Sequence, residues 1–167
     1  MPDRSVRRAF TVLYDKPVNK LITSVSILPI LTVDKILSGA PLEVKALWDT
    51  GATVTCIKPV LFERLKLRLL NLTRHTTLSG IGGKVAARTT LVTLFLTPAL
   101  EVEYHPVYVA DFPSNADMLI GMDIIRMGDF AVCNADGKTS FSFAVPPFPD
   151  RIDLAEKTEA DNKRDTV

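Results

Sequence analysis

The sequence is short of the residues on which many small domains of special chemistry rely. Its 167 residues include two cysteines and two histidines. Two thiols cannot form a disulfide framework, and Cys56 sits in Val54-Thr55-Cys56-Ile57, which reads as buried strand. Both Cys56 and Cys133 are therefore expected to be reduced core residues. His75 and His105 stand apart in strand or loop contexts and show neither metal-ligand spacing nor the makings of a nucleophilic triad. No local pattern pairs Cys133 with a histidine as a thiol peptidase would require. Net charge is also scarce. At +1 it gives no whole-protein field for nucleic acid or anionic membrane, and Arg4, Arg7 and Arg8 read as a solvated end. Long hydrophobic runs are missing as well. Leu21 to Val33 is interrupted by Ser24, Ser26 and Pro29 and is too short to span a bilayer. Met1 to Arg8 carries charge but is followed by no signal-peptide core. These absences lead to an expectation of a cytoplasmic protein with no metal, cofactor, nucleic-acid partner or membrane partner.

What is present is globular composition, 47% hydrophobic and 23% charged, in a chain long enough for one domain with some tail. A chain of this length buries roughly two thirds of its unfolded surface without needing covalent staples. Residues 1–20 are polar with weak periodicity and are expected to form an arm. Residues 21–147 make the domain. Residues 148–167, charged and almost free of large apolar side chains, are expected to be a mobile tail or one marginal helix. No internal repeat is visible.

Within the domain, short apolar and β-branched runs alternate with turn residues, predicting a mainly β fold with one or two short helices. Leu42 to Leu47 alternates strictly. Val54 to Ile57 reads as a second strand, and Pro59 suits the first turn of a helix extending toward Leu67. Thr73 to Leu78 and Lys84 to Leu96 flank Ser79-Gly80-Ile81-Gly82-Gly83, the layout of a hairpin with a glycine-rich tip. That tip lacks phosphate-loop spacing. Glu101 to Val109 alternates again, with Glu101 and Glu103 on its wet face. Met118-Leu119-Ile120 is stopped by Gly121 and followed by a possible helical turn, Asp123 to Met127. Phe130 to Cys133 and Thr139 to Phe143 are predicted to pair across Asn134 to Lys138.

The segment that carries chemistry is Ala46-Leu47-Trp48-Asp49-Thr50-Gly51-Ala52. An acid placed directly after a half-buried strand is held on rigid backbone. Thr50 adds a hydroxyl that both donates and accepts, and Gly51 lets the chain turn tightly and a ligand approach it. The tripeptide alone also fits an ordinary turn, so its context decides.

In that context the sequence resembles the retropepsins, the single-domain aspartic peptidases of retroviruses and retrotransposons and their cellular and bacterial relatives. The resemblance runs from about Leu42 to Val132. Leu47 to Ala52 matches the catalytic motif, Ser79 to Gly83 the flap tip, and Leu119-Ile120-Gly121 the apolar-apolar-Gly signature beside the catalytic loop. It implies a closed, orthogonal β-barrel with a flap hairpin, the half-domain of an acid peptidase. Only one Asp-Thr-Gly is present, and Asp165-Thr166-Val167 lacks the glycine. The resemblance therefore implies a homodimer with Asp49 of each copy meeting on a two-fold axis. The expected activity is aspartic endopeptidase cleavage of a peptide or protein substrate. Asp49, Thr50 and Gly51 are expected to form the catalytic loop, with the Thr50 hydroxyl cross-linking the two loops. Leu47, Ala52, Thr53, Leu78 and Leu119 are expected to contact substrate, beneath a flap of Gly80, Ile81 and Gly82. The chain departs from retroviral members at Thr53, where an acid is usual, and at Met122-Asp123, where Arg-Asn is frequent. The rival readings are a dimeric peptide-binding or scaffold module of the same fold with weak or no catalysis, and a precursor that cleaves itself.

Overall fold

The computed structural model describes residues 6–30, 40–67, 69, 76–80 and 83–164. In chain order these form β1 (Arg8–Leu13), β2 (Leu21–Pro29), β3 (Leu42–Trp48), β4 (Cys56–Ile57), α1 (Pro59–Arg64), β5 (Thr76–Gly80) and β6 (Gly83–Thr97). They continue as β7 (Leu100–Val109), β8 (Met118–Ile120), α2 (Met122–Ile125), β9 (Asp129–Ala135), β10 (Lys138–Val145) and α3 (Leu154–Arg164).

The larger sheet runs β2-β3-β8-β4-β7-β6 and returns to β2, closing a six-stranded barrel. Closure comes from Ser26 to Pro29 of β2 lying antiparallel to Val92 to Phe95 of β6. A closed sheet has no edge to protect, so each of these strands can turn an apolar face inward. Strict alternation in β3 buries Val44, Ala46 and Trp48, as expected for one inward face. Ile27, Ile57, Val92, Leu94, Val107, Met118, Ile120 and Ile124 fill the interior. β6 is long enough to serve two roles. Its first half forms a hairpin with β5, and its second half pairs with β7 through register shifts at Val92/Leu94 and Phe95/Thr97. Such irregularities bend a strand so that it can both project and curve around a barrel. Residues 81 and 82, at the expected hairpin tip, lie outside the described residues. α1 opens with Pro59, whose missing N–H costs nothing there, and buries Leu61 and Phe62.

A second sheet has the order β1-β10-β9. The β9–β10 hairpin turns through Asp136 and Gly137, whose φ values of 52° and 69° suit a two-residue turn with both central residues left-handed. β1 lies against β10 with Phe10 opposite Phe143. This corrects the expected arm over residues 1–20. Arg8–Leu13 is an integral strand, because Phe10 and Val12 pack on the core and the next residue ties the two sheets together. The Tyr14 hydroxyl donates to Ile22 O and accepts from Ile22 N, both at 2.9 Å. Burial of the ring raises the Tyr14 pKa, partly offset by the bond to Ile22. The pattern was hidden in the sequence by flanking charges, since its apolar partners come from more than a hundred residues away.

Cys56 is buried and Cys133 exposed, both as free thiols, so Cys133 is not the core residue expected. It lies on the outer strand of a small sheet, where alternation no longer implies burial. In the charged C-terminal segment α3 forms, capped by Asp153, whose Oδ1 accepts from the Ala155 and Glu156 amides. No helix among the described residues is long and apolar enough to cross a membrane.

The two sheets meet through aromatic rings, and Phe141 sits at the junction, 1% exposed. Its ring centroid is 5.3 Å from Trp48, 5.7 Å from Phe10 and 5.5 Å from Phe130. Phe141→Ala should therefore cost about 3–5 kcal/mol of stability, read from the denaturant midpoint; a loss within experimental error would contradict this packing.

Candidate active site

β3 delivers Asp49 from a well-anchored strand end. The preceding residue, Trp48, is 5% exposed and donates through Nε1–H to Thr23 Oγ1 at 3.0 Å. Phe10, Phe130, Phe141 and Phe143 surround its indole with centroids 5.2–5.9 Å away. Rings packed this way resist displacement, so the backbone leaving Trp48 has one position.

The loop that follows is tied at both ends. The Asp49 amide donates to Ile120 O at 3.0 Å, and the Met122 amide donates to Ala52 O at 2.8 Å. Within the loop, the Ala52 amide reaches Asp49 O at 3.2 Å. The Asp49 carboxylate turns back on the loop, Oδ1 accepting from the Gly51 amide at 2.8 Å. A Cβ on Gly51 would stand 3.1 Å from that oxygen, so a side chain there would press on the carboxylate by a few tenths of an ångström. Gly121 has a stronger requirement. A Cβ there would lie 2.5 Å from Val54 O, so only glycine lets β8 and α2 lie against the segment after Asp49. This is the physical content of the Leu119-Ile120-Gly121 signature.

Asp49 is half-buried and faces a shallow depression shared with Lys20, Leu21, Leu47, Thr50, Phe130 and Val132. A larger surface groove between β1, β2 and β6 does not include it. Of the expected substrate-contacting residues, Leu47 lines the depression. Ala52 is half-buried and Thr53 exposed on the same loop. Leu119 is 8% exposed, paired with Leu47 on one side and Cys56 on the other. Leu78 and Gly80 lie in β5, with Gly80 opposite Gly83. Ile81 and Gly82 fall outside the described residues.

Beneath the loop stands a polar network that sequence reasoning missed. Asp123, near the start of α2, accepts from the Thr55 amide at 2.8 Å and the Thr55 hydroxyl at 2.7 Å. It also accepts from His105 Nε2 at 3.1 Å, reaching across from β7. Thr55 Oγ1 in turn accepts from the Gly121 amide at 3.2 Å. His105 is a strand residue as expected, but its partner is far along the chain, and no local spacing announces the pair. Burial works to raise the Asp123 pKa. Hydrogen bonds from His105 and from both groups of Thr55, with attraction to His105, outweigh it, and the carboxyl titrates below its ordinary range. The adjacent Cys56 thiol is pushed up to about 11, by burial first and the Asp123 charge second, which keeps it unreactive.

A carboxyl whose folded pKa is depressed adds stability above its unfolded pKa and loses it as pH falls through the folded value. Asp123→Asn should therefore be less stable than wild type by about 1–3 kcal/mol at neutral pH. The gap should narrow once pH drops below the ordinary carboxylate range. Urea midpoints across a pH series measure this, and a gap constant with pH would contradict the ionised network.

Comparison with known proteins accords with this geometry. The family model described as "gag-polyprotein putative aspartyl protease" matches residues 36–127. The retropepsin-like aspartic protease from Rickettsia conorii superimposes with a TM-score of 0.53 at 13% identity, over 84% of this chain and 96% of its own. EIAV protease, complexed with the inhibitor HBY-793, gives a TM-score of 0.49 at 26% identity, over 69% of this chain and 92% of its own. A search of curated protein sequences finds no match. With its six-stranded barrel, its Asp49 loop and a family match across more than half its length, the chain belongs to the retropepsin-like aspartic protease family.

Proposed function

We propose that the protein is an aspartic endopeptidase that works as a homodimer, with Asp49 of each copy forming the catalytic pair. The observation that carries this reading is the Asp49 loop itself. The carboxylate is fixed to the Gly51 amide on one side and opens onto a surface depression on the other. One such loop per chain cannot supply two carboxylates, and a two-fold axis passing near Asp49 would.

The surface beside Asp49 supports that arrangement. β9 pairs with β10 on one side, and among the described residues no strand covers its other edge. Ala131, Val132 and Cys133 are exposed there, Val132 by 47%. Phe130 stacks on Trp48 at 5.8 Å, so this edge and the Asp49 loop are parts of one rigid face. An open strand edge with an exposed apolar residue is ready to pair with its own copy.

The chemistry follows from bringing two carboxylates together. They cannot comfortably both ionise, so the pair shares one proton. The ionised member takes a proton from water as the water attacks the peptide carbonyl. The protonated member donates a hydrogen bond to the carbonyl oxygen as negative charge develops on it. Collapse of the tetrahedral species with proton transfer to the amine breaks the C–N bond and leaves acid and amine products. The apparent pKa values belong to the pair. Leu47 at the depression favours apolar substrate side chains, and the β5–β6 hairpin would act as the lid over them.

Asp49→Asn should lower cleavage of a diverse peptide library by about a hundredfold to ten-thousandfold, and wild-type rate should be bell-shaped on the acidic side of neutral. A rate that climbs steadily into alkaline pH would exclude the shared-proton mechanism. Val132→Glu, which places two like charges at the proposed axis, should raise the dimer dissociation constant about 100-fold in sedimentation experiments. A stable wild-type dimer that cleaves nothing would instead favour a peptide-binding module.

A further inference from the structure

We infer that Thr55, Asp123 and His105 are positioning residues for the Asp49 loop, joining the loop to β7 of the barrel through the Gly121 peptide. The inference rests on the peptidase reading only for its activity measurement.

Ile120 O receives the Asp49 amide and the Met122 amide donates to Ala52 O, so the two residues flanking Gly121 hold both ends of the catalytic loop. The Gly121 carbonyl accepts from the Ile124 and Ile125 amides within α2, and its amide donates to Thr55 Oγ1 at 3.2 Å. That hydroxyl has one proton, and it goes to Asp123 Oδ1 at 2.7 Å. Toward Gly121 the oxygen can therefore act only as acceptor, through one of its two lone pairs, and the direction of the whole unit is set. Asp123 cannot swing away, because Oδ2 is held by the Thr55 amide and by His105.

Asp123 and Gly121 are two residues apart, and Thr55 lies six residues beyond Asp49. The network thus closes a small polar ring directly under the catalytic loop. His105 is the only member from outside these two segments. It comes from β7, the strand that pairs with β4 immediately after Thr55, where the Tyr108 amide donates to Thr55 O. Thr55 is fully buried, and the His105 and Asp123 side chains are only 12% and 15% exposed. In such surroundings a hydrogen bond lost on one side leaves its partner unsatisfied, which costs more than the bond contributes. Fixing a carboxylate to within a fraction of an ångström is what general acid–base work at a shared two-fold site requires.

The test combines amide hydrogen exchange with steady-state kinetics on Thr55→Val, Thr55→Ser and His105→Leu. Thr55→Val keeps the shape and removes the hydroxyl. It should speed exchange at Gly121, Asp49 and Met122 about tenfold more than at Leu94 and Phe143, whose amides should rise only by the factor that the change in denaturant midpoint accounts for. On a cleavable peptide, kcat should fall about tenfold with KM within about twofold, and Thr55→Ser should restore both readouts. His105→Leu should show the same pattern with a smaller effect, and it decides the matter alone if Thr55→Val does not fold. Unchanged exchange at the three loop amides would overturn the inference. So would a rise shared equally by Leu94 and Phe143, which would mean general destabilisation. If wild type cleaves no peptide, the exchange pattern still judges the network, and only the peptidase reading fails.

Discussion

The absence of a side chain at Gly121 is the constraint on which the rest of the structure depends. A single methyl group there would stand 2.5 Å from Val54 O and force the β8–α2 segment off the loop after Asp49. With no methyl, the two segments lie in contact, and beside the Thr55–Asp123 bonds three more join them. These are Asp49 N–H to Ile120 O, Met122 N–H to Ala52 O, and Gly121 N–H to Thr55 Oγ1. A loop bonded at both ends and from below pays its ordering entropy during folding, so little remains to be lost when substrate arrives.

Two different kinds of support converge on that loop. From the barrel side it is polar, the Thr55–Asp123–His105 network. From the other side it is aromatic, with Trp48 locked among Phe10, Phe130, Phe141 and Phe143. The aromatic support also determines how the second sheet sits. β9 and β10 are placed by rings that pack on the residue directly before Asp49, and this brings the open β9 edge onto the same face as the carboxylate. The surface proposed to meet a second copy and the Asp49 loop are therefore linked by one packed cluster, and displacement of either would be transmitted to the other.

Much of this was legible from local pattern. Alternation in Leu42–Trp48 marked β3 and its buried face. Pro59 marked the start of α1, and Asn134 to Lys138 marked the β9–β10 connection, which the structure narrows to Asp136 and Gly137. Asp49-Thr50-Gly51 and Leu119-Ile120-Gly121 were visible because backbone geometry restricts residue choice at each position within a few residues. β1 was not legible. Ala9 to Tyr14 is a short uncharged run between Arg7-Arg8 and Asp15-Lys16, and its place in a sheet depends on β10, which offers Phe141 and Phe143 to cover Phe10. The burial of Cys56 was correctly anticipated and that of Cys133 was not, since an outer strand has the same alternation as an inner one.

The sequence by itself determined which acid stands at the end of a rigid strand, which glycines permit the close approaches around it, and that the body is β-rich. Each of these depends on the sterics of a residue and its immediate neighbours. Tertiary structure alone decided that His105 meets Asp123, that the Thr55 hydroxyl accepts from the Gly121 amide, and that residues 8–13 belong to a sheet. Those outcomes depend on groups brought together by barrel closure and sheet packing, and no spacing along the chain encodes a distance across the fold.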